Sequence, residues 1–281
     1  MSLLYDYIHL SRLNRPIGIW LLLFPGFIGL SLAQQTVPES YWAIFIMGAV
    51  AMRSAGCIYN DIIDRPFDGR VARTKNRPLV RKDRPLSLLW ALVFLAFNLI
   101  IGLACLIQFN FKTILVGVVA ACMIALYPWM KRITYWPQLF LGLTMNMGLV
   151  IGIYAVGLNL DVGIISMYAG MISWTFGYDT IYGFQDMEDD ILVGIKSTTF
   201  KVRAAPKSFV TTVYGASIFL WLIAGKVMGL SPFYYLGISS IFILFLWQVL
   251  TLESNNAANC LMRFRSNQWV GVLLFLSIII K

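Results

Sequence analysis

The chain has 281 residues, of which 59% are hydrophobic and only 12% charged, and it carries a net charge of +9. A soluble domain carries about a quarter charged residues, so an ordinary water-soluble enzyme is excluded. The basic excess then reads as membrane sidedness and not as a nucleic-acid footprint.

Apolar stretches of about 20 residues recur from end to end, the pattern of a polytopic helical membrane protein. They predict an all-α chain of nine transmembrane helices, at residues 16–33, 41–59, 86–107, 111–130, 137–157, 162–183, 207–225, 232–252 and 268–280. No polar linker or Gly/Ser-rich hinge divides them, so one membrane domain is expected over residues 1–281. Pro16, Pro38, Pro85, Pro137, Pro206 and Pro232 stand at or near predicted starts, where a missing N–H costs least.

Arg12 and Arg15 precede the first span, and the following loop has Glu39 and no cation. The loop after the second span carries a run of cations from Arg65 to Arg84, and the loop after the sixth carries Lys196, Lys201, Arg203 and Lys207. All 22 cations except Lys112, Lys226 and Lys281 fall on one side of the bilayer in this arrangement. The positive-inside rule makes that side cytoplasmic, with the N-terminus inside and the C-terminus outside. With no cleavable signal pattern and no Arg- and Ser-rich leader at the start, a bacterial inner membrane is the expected location. The two long loops are expected to form a cytoplasmic cap over a central cavity, since function concentrates on long loops. Cys57, Cys105, Cys122 and Cys260 are scattered and show no zinc or disulfide spacing, and His9 reads as an interfacial residue.

More than half of the 13 acidic residues fall in two short runs on the cation-rich side. In the first, Asn60, Asp64 and Asp68 recur every four residues and share a helical face with a drift of about 40° per step. Asp61 falls off that face. Pro66 strains the helix and is expected to kink the Asp68 end outward. In the second, Asp179 and Asp186 are seven apart and Asp190 four further on, so all three share a face. Taken singly, each carboxylate could be a solvated loop residue. Stacked together they repel one another unless a cation sits between them. Mg²⁺ suits such a site, because it takes one or two carboxylates plus waters and phosphate oxygens. Two opposed faces could each hold Mg²⁺ and bridge a diphosphate, with Arg73, Lys75, Arg77 and Lys196 taking the remaining phosphate charge. Asp68-Gly69-Arg70-Val71-Ala72-Arg73 also opens the CDP-alcohol phosphatidyltransferase signature, but Lys82, Leu86 and Trp90 stand where that signature continues with Gly, Asp and Asp.

The pattern as a whole resembles the UbiA family of intramembrane prenyltransferases. The family's NDxxDxxxD motif stands as Asn60-Asp61…Asp64…Asp68, and its DxxxD, preceded by a further Asp, as Asp179…Asp186…Asp190. Its YxxxK element stands as Tyr127…Lys131. Local wording such as Arg15-Pro16-Ile17-Gly18 and Arg73-Thr74-Lys75-Asn76-Arg77-Pro78 is similar to members that use 4-hydroxybenzoate. The resemblance implies Mg²⁺-dependent transfer of a polyprenyl group from polyprenyl diphosphate to the carbon ortho to the hydroxyl of 4-hydroxybenzoate, a step of ubiquinone biosynthesis. It implies metal binding by Asn60, Asp64, Asp68, Asp179, Asp186 and Asp190, with Asp64, Asp186 and Asp190 catalytic. Diphosphate contacts would come from Arg73, Lys75, Arg77, Tyr127, Lys131 and Lys196. The lipid bilayer would supply the prenyl tail through a lateral opening.

Arg53 lies in an apolar context seven residues before Asn60, hence on the same face. An intramembrane Arg is expensive and faces a cavity or a partner. It is read as the holder of the acceptor carboxylate, with partnership to Asp64 as the alternative. Tyr178 and Tyr182 are expected beside the acceptor, where ring faces could shield a carbocation. A naphthoate, homogentisate, chlorophyllide or haem acceptor stays open. So does a cation-coupled transporter, whose intramembrane carboxylates would carry ions.

Overall fold

The computed structural model describes residues 2–33, 36–69 and 74–280. Among them there is no strand. The helices are α1 Leu3–Leu10, α2 Ile17–Ser31, α3 Glu39–Asp68, α4 Leu88–Leu106, α5 Phe111–Ile133, α6 Pro137–Met145 and α7 Met147–Ala155. They continue with α8 Val162–Gly183, α9 Met187–Val193, α10 Thr198–Val202, α11 Pro206–Met228, α12 Pro232–Leu250 and α13 Ala257–Ile279. Starts follow local chemistry. Ser87, Asn110, Asp161 and Asn256 cap α4, α5, α8 and α13 through their side chains. Pro137, Pro206 and Pro232 sit in the first turns of α6, α11 and α12.

The surface is turned inside out relative to a soluble protein. Leu89, Ile100 and Phe111 are exposed, whereas Asp6, Asp61, Asp64 and Asp68 are buried. Such a surface suits lipid as solvent. Among the described residues, six stretches are long and apolar enough to cross a bilayer: Glu39–Pro66, Leu88–Leu106, Phe111–Ile133, Pro137–Ala155, Pro206–Met228 and Pro232–Leu250. Of the remaining three predicted spans, α2 is apolar but only 15 residues long. Tyr178 and Asp179 in α8, and Arg263 and Asn267 in α13, dilute the apolarity of those helices. Neighbouring helices pack in succession, and α13 returns to α2 and α8.

Three local features depart from the sequence expectation. The helix α3 runs unbroken through Pro66, and Asp68 is buried instead of kinked outward. The predicted fifth span is divided at Asn146, whose amide donates to Gly142 O (2.8 Å), Met171 O (3.2 Å) and Thr175 Oγ1 (2.8 Å). A buried amide must find partners, and here most of them come from α8. The last helix starts at Ala257, well before residue 268, because its first turns bury Arg263 over the Trp247 ring (4.0 Å) and carry Asn267 into the core.

Close backbone approach fixes α2 against α7. Gly26 and Gly29 face Gly148 and Gly152, and a Cβ on Gly29 would stand 2.5 Å from Leu149 O. Small residues allow such approach in membrane helices. Gly29→Ala is therefore expected to cost about 1–3 kcal/mol by overpacking. A lowered midpoint of thermal unfolding in detergent checks this; an unchanged midpoint would deny the contact.

Candidate active site

The α3 face forms as its spacing predicts. Asn60 Nδ2 donates to Asp64 Oδ2 at 2.9 Å, and Lys131 Nζ from α5 stands 3.9 Å from the same oxygen. One turn further, Asp68 Oδ2 receives Arg77 Nη1 at 2.7 Å, and the Asp68 carbonyl receives Thr74 Oγ1 at 2.7 Å. Burial pushes the Asp68 carboxyl up to about 6, with Arg77 pulling the other way. A carboxyl raised in the folded state disfavours folding as pH rises between its unfolded value and about 6. Asp68 is thus a group whose ionised form the fold tolerates at a cost, a common property of ligand-binding carboxylates.

Asp61, off the acidic face, has a separate task. It is 2% exposed and takes Arg77 Nη1 at 2.9 Å. Both its oxygens also accept Arg12 Nη2 at 2.8 Å. Arg12 adopts a left-handed backbone (φ 60°) between α1 and α2 and also donates to His9 O at 2.6 Å. A second pair, Arg81 on Asp6 at 2.7 and 2.9 Å, ties α1 to the same loop. Sequence reasoning used Arg12 only for topology and missed this role. The signal available was an unassigned acid beside a motif and an unassigned base before the first span.

The second acidic run is not one continuous helix. Helix α8 ends at Gly183, a single 3₁₀ turn covers Phe184–Asp186, and α9 begins at Met187. The predicted shared face of Asp179, Asp186 and Asp190 is therefore replaced by three elements in succession. Gly183 packs where a Cβ would lie 3.1 Å from Thr199 Cγ2 and 3.3 Å from Gln138 Nε2. That tight seat against α6 and α10 is where the chain turns. Ser197 and Gln138 complete it with a 2.9 Å hydrogen bond.

The two runs nevertheless meet, and they meet at α5. Asp179 lies within electrostatic reach of Lys131, Arg53 and Asp186. Tyr127 lies within reach of Asp179, Asp64, Arg53 and Asp190. Tyr127 and Lys131, one turn apart, thus lie within reach of carboxylates of both runs. Arg53 is also within reach of Cys57, Tyr127, Tyr178 and Tyr182, and among the described residues its buried Nε has no hydrogen-bond partner. No bond to Asp64 is made at that atom. Tyr178 is a core residue, edge-on to Trp174 (5.2 Å) and Phe264 (5.8 Å), while Tyr182 is half-buried against Phe264 (4.6 Å).

The other predicted phosphate contacts are differently placed. Lys196 donates to Ile133 O at 3.0 Å and lies over the Tyr135 ring, so its ammonium is spent at the end of α5. Lys75 is exposed, and Arg77 is held between Asp61 and Asp68. Arg73 lies outside the described residues.

Among the described residues no three His, Cys, Asp or Glu side chains converge to hold a metal ion by themselves. The donors are hard oxygens, and Mg²⁺ takes only one or two carboxylates from a protein beside waters and phosphate oxygens. The set therefore fits a metal that arrives with a phosphorylated substrate better than a resident metal in a closed cage.

A model of the UbiA prenyltransferase family matches residues 22–269. The "4-hydroxybenzoate polyprenyltransferase, mitochondrial" of Rattus norvegicus is 38% identical over 281 residues, covering 99% of this chain and 75% of the relative. The protein of the same name in Dictyostelium discoideum is also 38% identical; 98% of this chain matches it, spanning 60% of its length. Among solved structures, a UbiA homolog from Aeropyrum pernix K1 superposes with a TM-score of 0.80 at 21% identity, covering 94% of this chain and 97% of that one. A UbiA homolog from Archaeoglobus fulgidus bound to GPP and Mg²⁺ superposes with a TM-score of 0.70 at 17% identity, covering 98% and 99%. The relatives' names overturn the expected bacterial inner membrane, since those in Dictyostelium and rat are mitochondrial. The cation bias behind that expectation reports which side of a bilayer a loop keeps to, not which organelle owns the bilayer.

Proposed function

Because the chain belongs to the UbiA prenyltransferase family, we propose that it transfers a polyprenyl group from polyprenyl diphosphate to 4-hydroxybenzoate. The group goes to the ring carbon ortho to the hydroxyl, diphosphate is released, and the product serves ubiquinone biosynthesis in a mitochondrial membrane. One observation carries this reading: Lys131 stands 3.9 Å from Asp64 of the first run and within electrostatic reach of Asp179 of the second. The nine predicted spans would form a single domain around a central cavity, with the loops after α3 and α8 as its cap.

Mg²⁺ would be held by Asn60, Asp64 and Asp68 on one side and Asp179, Asp186 and Asp190 on the other; when bound it would neutralise the leaving diphosphate. Lys131 and Tyr127 would hold the diphosphate between the runs, and Arg77 would add a guanidinium from the loop. The allylic C–O bond then breaks with its electron pair leaving on diphosphate, the ring carbon forms the new C–C bond, and the ring proton passes to a base, for which the released diphosphate is at hand. Arg53 would take the acceptor carboxylate, which points the opposite, hydroxyl-bearing end of the ring away from it and toward the reacting carbon. The ring of Tyr182 would flank the allylic cation.

Purified protein given Mg²⁺, 4-hydroxybenzoate and polyprenyl diphosphates of several lengths is expected to yield a prenylated hydroxybenzoate, read by mass spectrometry. Absence of product with every donor, while a naphthoate or homogentisate is prenylated, would reassign the acceptor.

A further inference from the structure

We infer that Gly18 is a positioning residue for acceptor binding: it is the notch in α2 that seats the Arg53 guanidinium. The inference rests on the reading of Arg53 as the acceptor's carboxylate holder. Gly18 is buried in the first turn of α2, directly against Arg53 of α3. A Cβ built on it would collide with Arg53 Nε, and would lie 2.7 Å from Nη2 and 2.8 Å from Cζ. Gly18 therefore differs from Gly29 and Gly152, whose space is taken by the backbone of a neighbouring helix. At Gly18 the space is taken by the working end of a charged side chain. A helical Gly costs about 1 kcal/mol relative to Ala, so the position has a reason to be Ala unless something needs the room.

Arg53 gives that reason. Its Nε is buried and has no partner among the described residues, with Cys57, Tyr127, Tyr178 and Tyr182 within electrostatic reach and Asp179 the carboxylate within reach of the same side chain. A guanidinium pairs a carboxylate through a rigid planar fork, so its usefulness depends on orientation as much as on charge. The notch fixes the buried edge of the fork against α2 and leaves the other edge for a ligand. A methyl group at position 18 would push the guanidinium out of that plane. Because the displaced atoms end a flexible side chain, the helices need not move apart.

The test is a double-mutant cycle on the purified protein in detergent with Mg²⁺, polyprenyl diphosphate and 4-hydroxybenzoate. Gly18→Ala is expected to raise KM for 4-hydroxybenzoate about tenfold, leaving KM for the donor and the thermal midpoint unchanged. Arg53→Ala is expected to raise the acceptor KM further, and adding Gly18→Ala to it should change nothing more. Arg53→Lys with Gly18→Ala replaces the fork by a slimmer ammonium and should fold as well as the parent, even if Gly18→Ala alone does not. If Arg53→Ala leaves the acceptor KM unmoved, the role given to Arg53 falls. If Arg53→Ala raises it but Gly18→Ala does not, or if the two effects add, the role given to Gly18 falls alone. Failure of Gly18→Ala to fold with no recovery by Arg53→Lys would likewise show that the glycine serves the helix contact and not the arginine.

Discussion

Replacing Asp64 by Ala is expected to lower kcat about a hundred- to a thousandfold, the range seen when a group stabilising developing charge is removed. Asp64 is buried, accepts from Asn60 at 2.9 Å and faces Lys131 at 3.9 Å. Its removal leaves no buried cation stranded, because the Lys131 side chain is 30% exposed and can be solvated. The fold should therefore survive while the site loses a carboxylate from the face nearest α5. Asp186→Ala should act similarly from the opposite run, since Asp186 lies within electrostatic reach of Asp179. Initial rates at saturating Mg²⁺ and donor, set beside the thermal midpoint, separate the two effects. Turnover retained in either variant with an unchanged midpoint would remove the two-sided clamp.

The second large effect is on stability. Asp61→Ala deletes a buried carboxylate shared by Arg12 and Arg77, leaving Arg77 with Asp68 and Arg12 with the His9 carbonyl. Removing one partner from a buried ionic group costs about 3–5 kcal/mol, and partial solvation of both arginines should bring this to the lower end. Arg12 also loses the contact that holds its left-handed backbone, a conformation uncommon outside Gly. The loss should show as faster amide exchange in α1 and in residues 74–86, with α8 and α11 unaffected. Exchange unchanged in α1 would mean that the Arg81–Asp6 pair holds the segment alone.

The helical membrane architecture was legible because apolar runs and charge asymmetry are properties of long windows. The face of Asn60, Asp64 and Asp68 was legible for the same reason, since a four-residue spacing survives any helix. What escaped depends on contacts distant in sequence. Nothing local to Asn146 announces a break; its amide finds Met171 and Thr175 on another helix. Gly183 ends α8 because Gln138 and Thr199 come close to it, which periodicity cannot see. The face drawn through Asp179 and Asp190 assumed that the helix continued. The Arg12–Asp61 pair joins residues 49 apart, and the start of α13 was hidden because its polar residues are buried and not exposed. The location failed for a different reason: sidedness is written in the loops, but the identity of the membrane is not.

The break at Asn146 divides ownership of one transmembrane segment. Helix α6 belongs to α8, which carries Asp179, whereas α7 belongs to α2, which carries the glycines that meet it. A straight rod would have bolted those two neighbours together across the bilayer. Jointed at its middle, the segment lets each half follow the direction of its own partner. The acid-bearing helix and α2 are thus seated mainly on opposite halves of one segment.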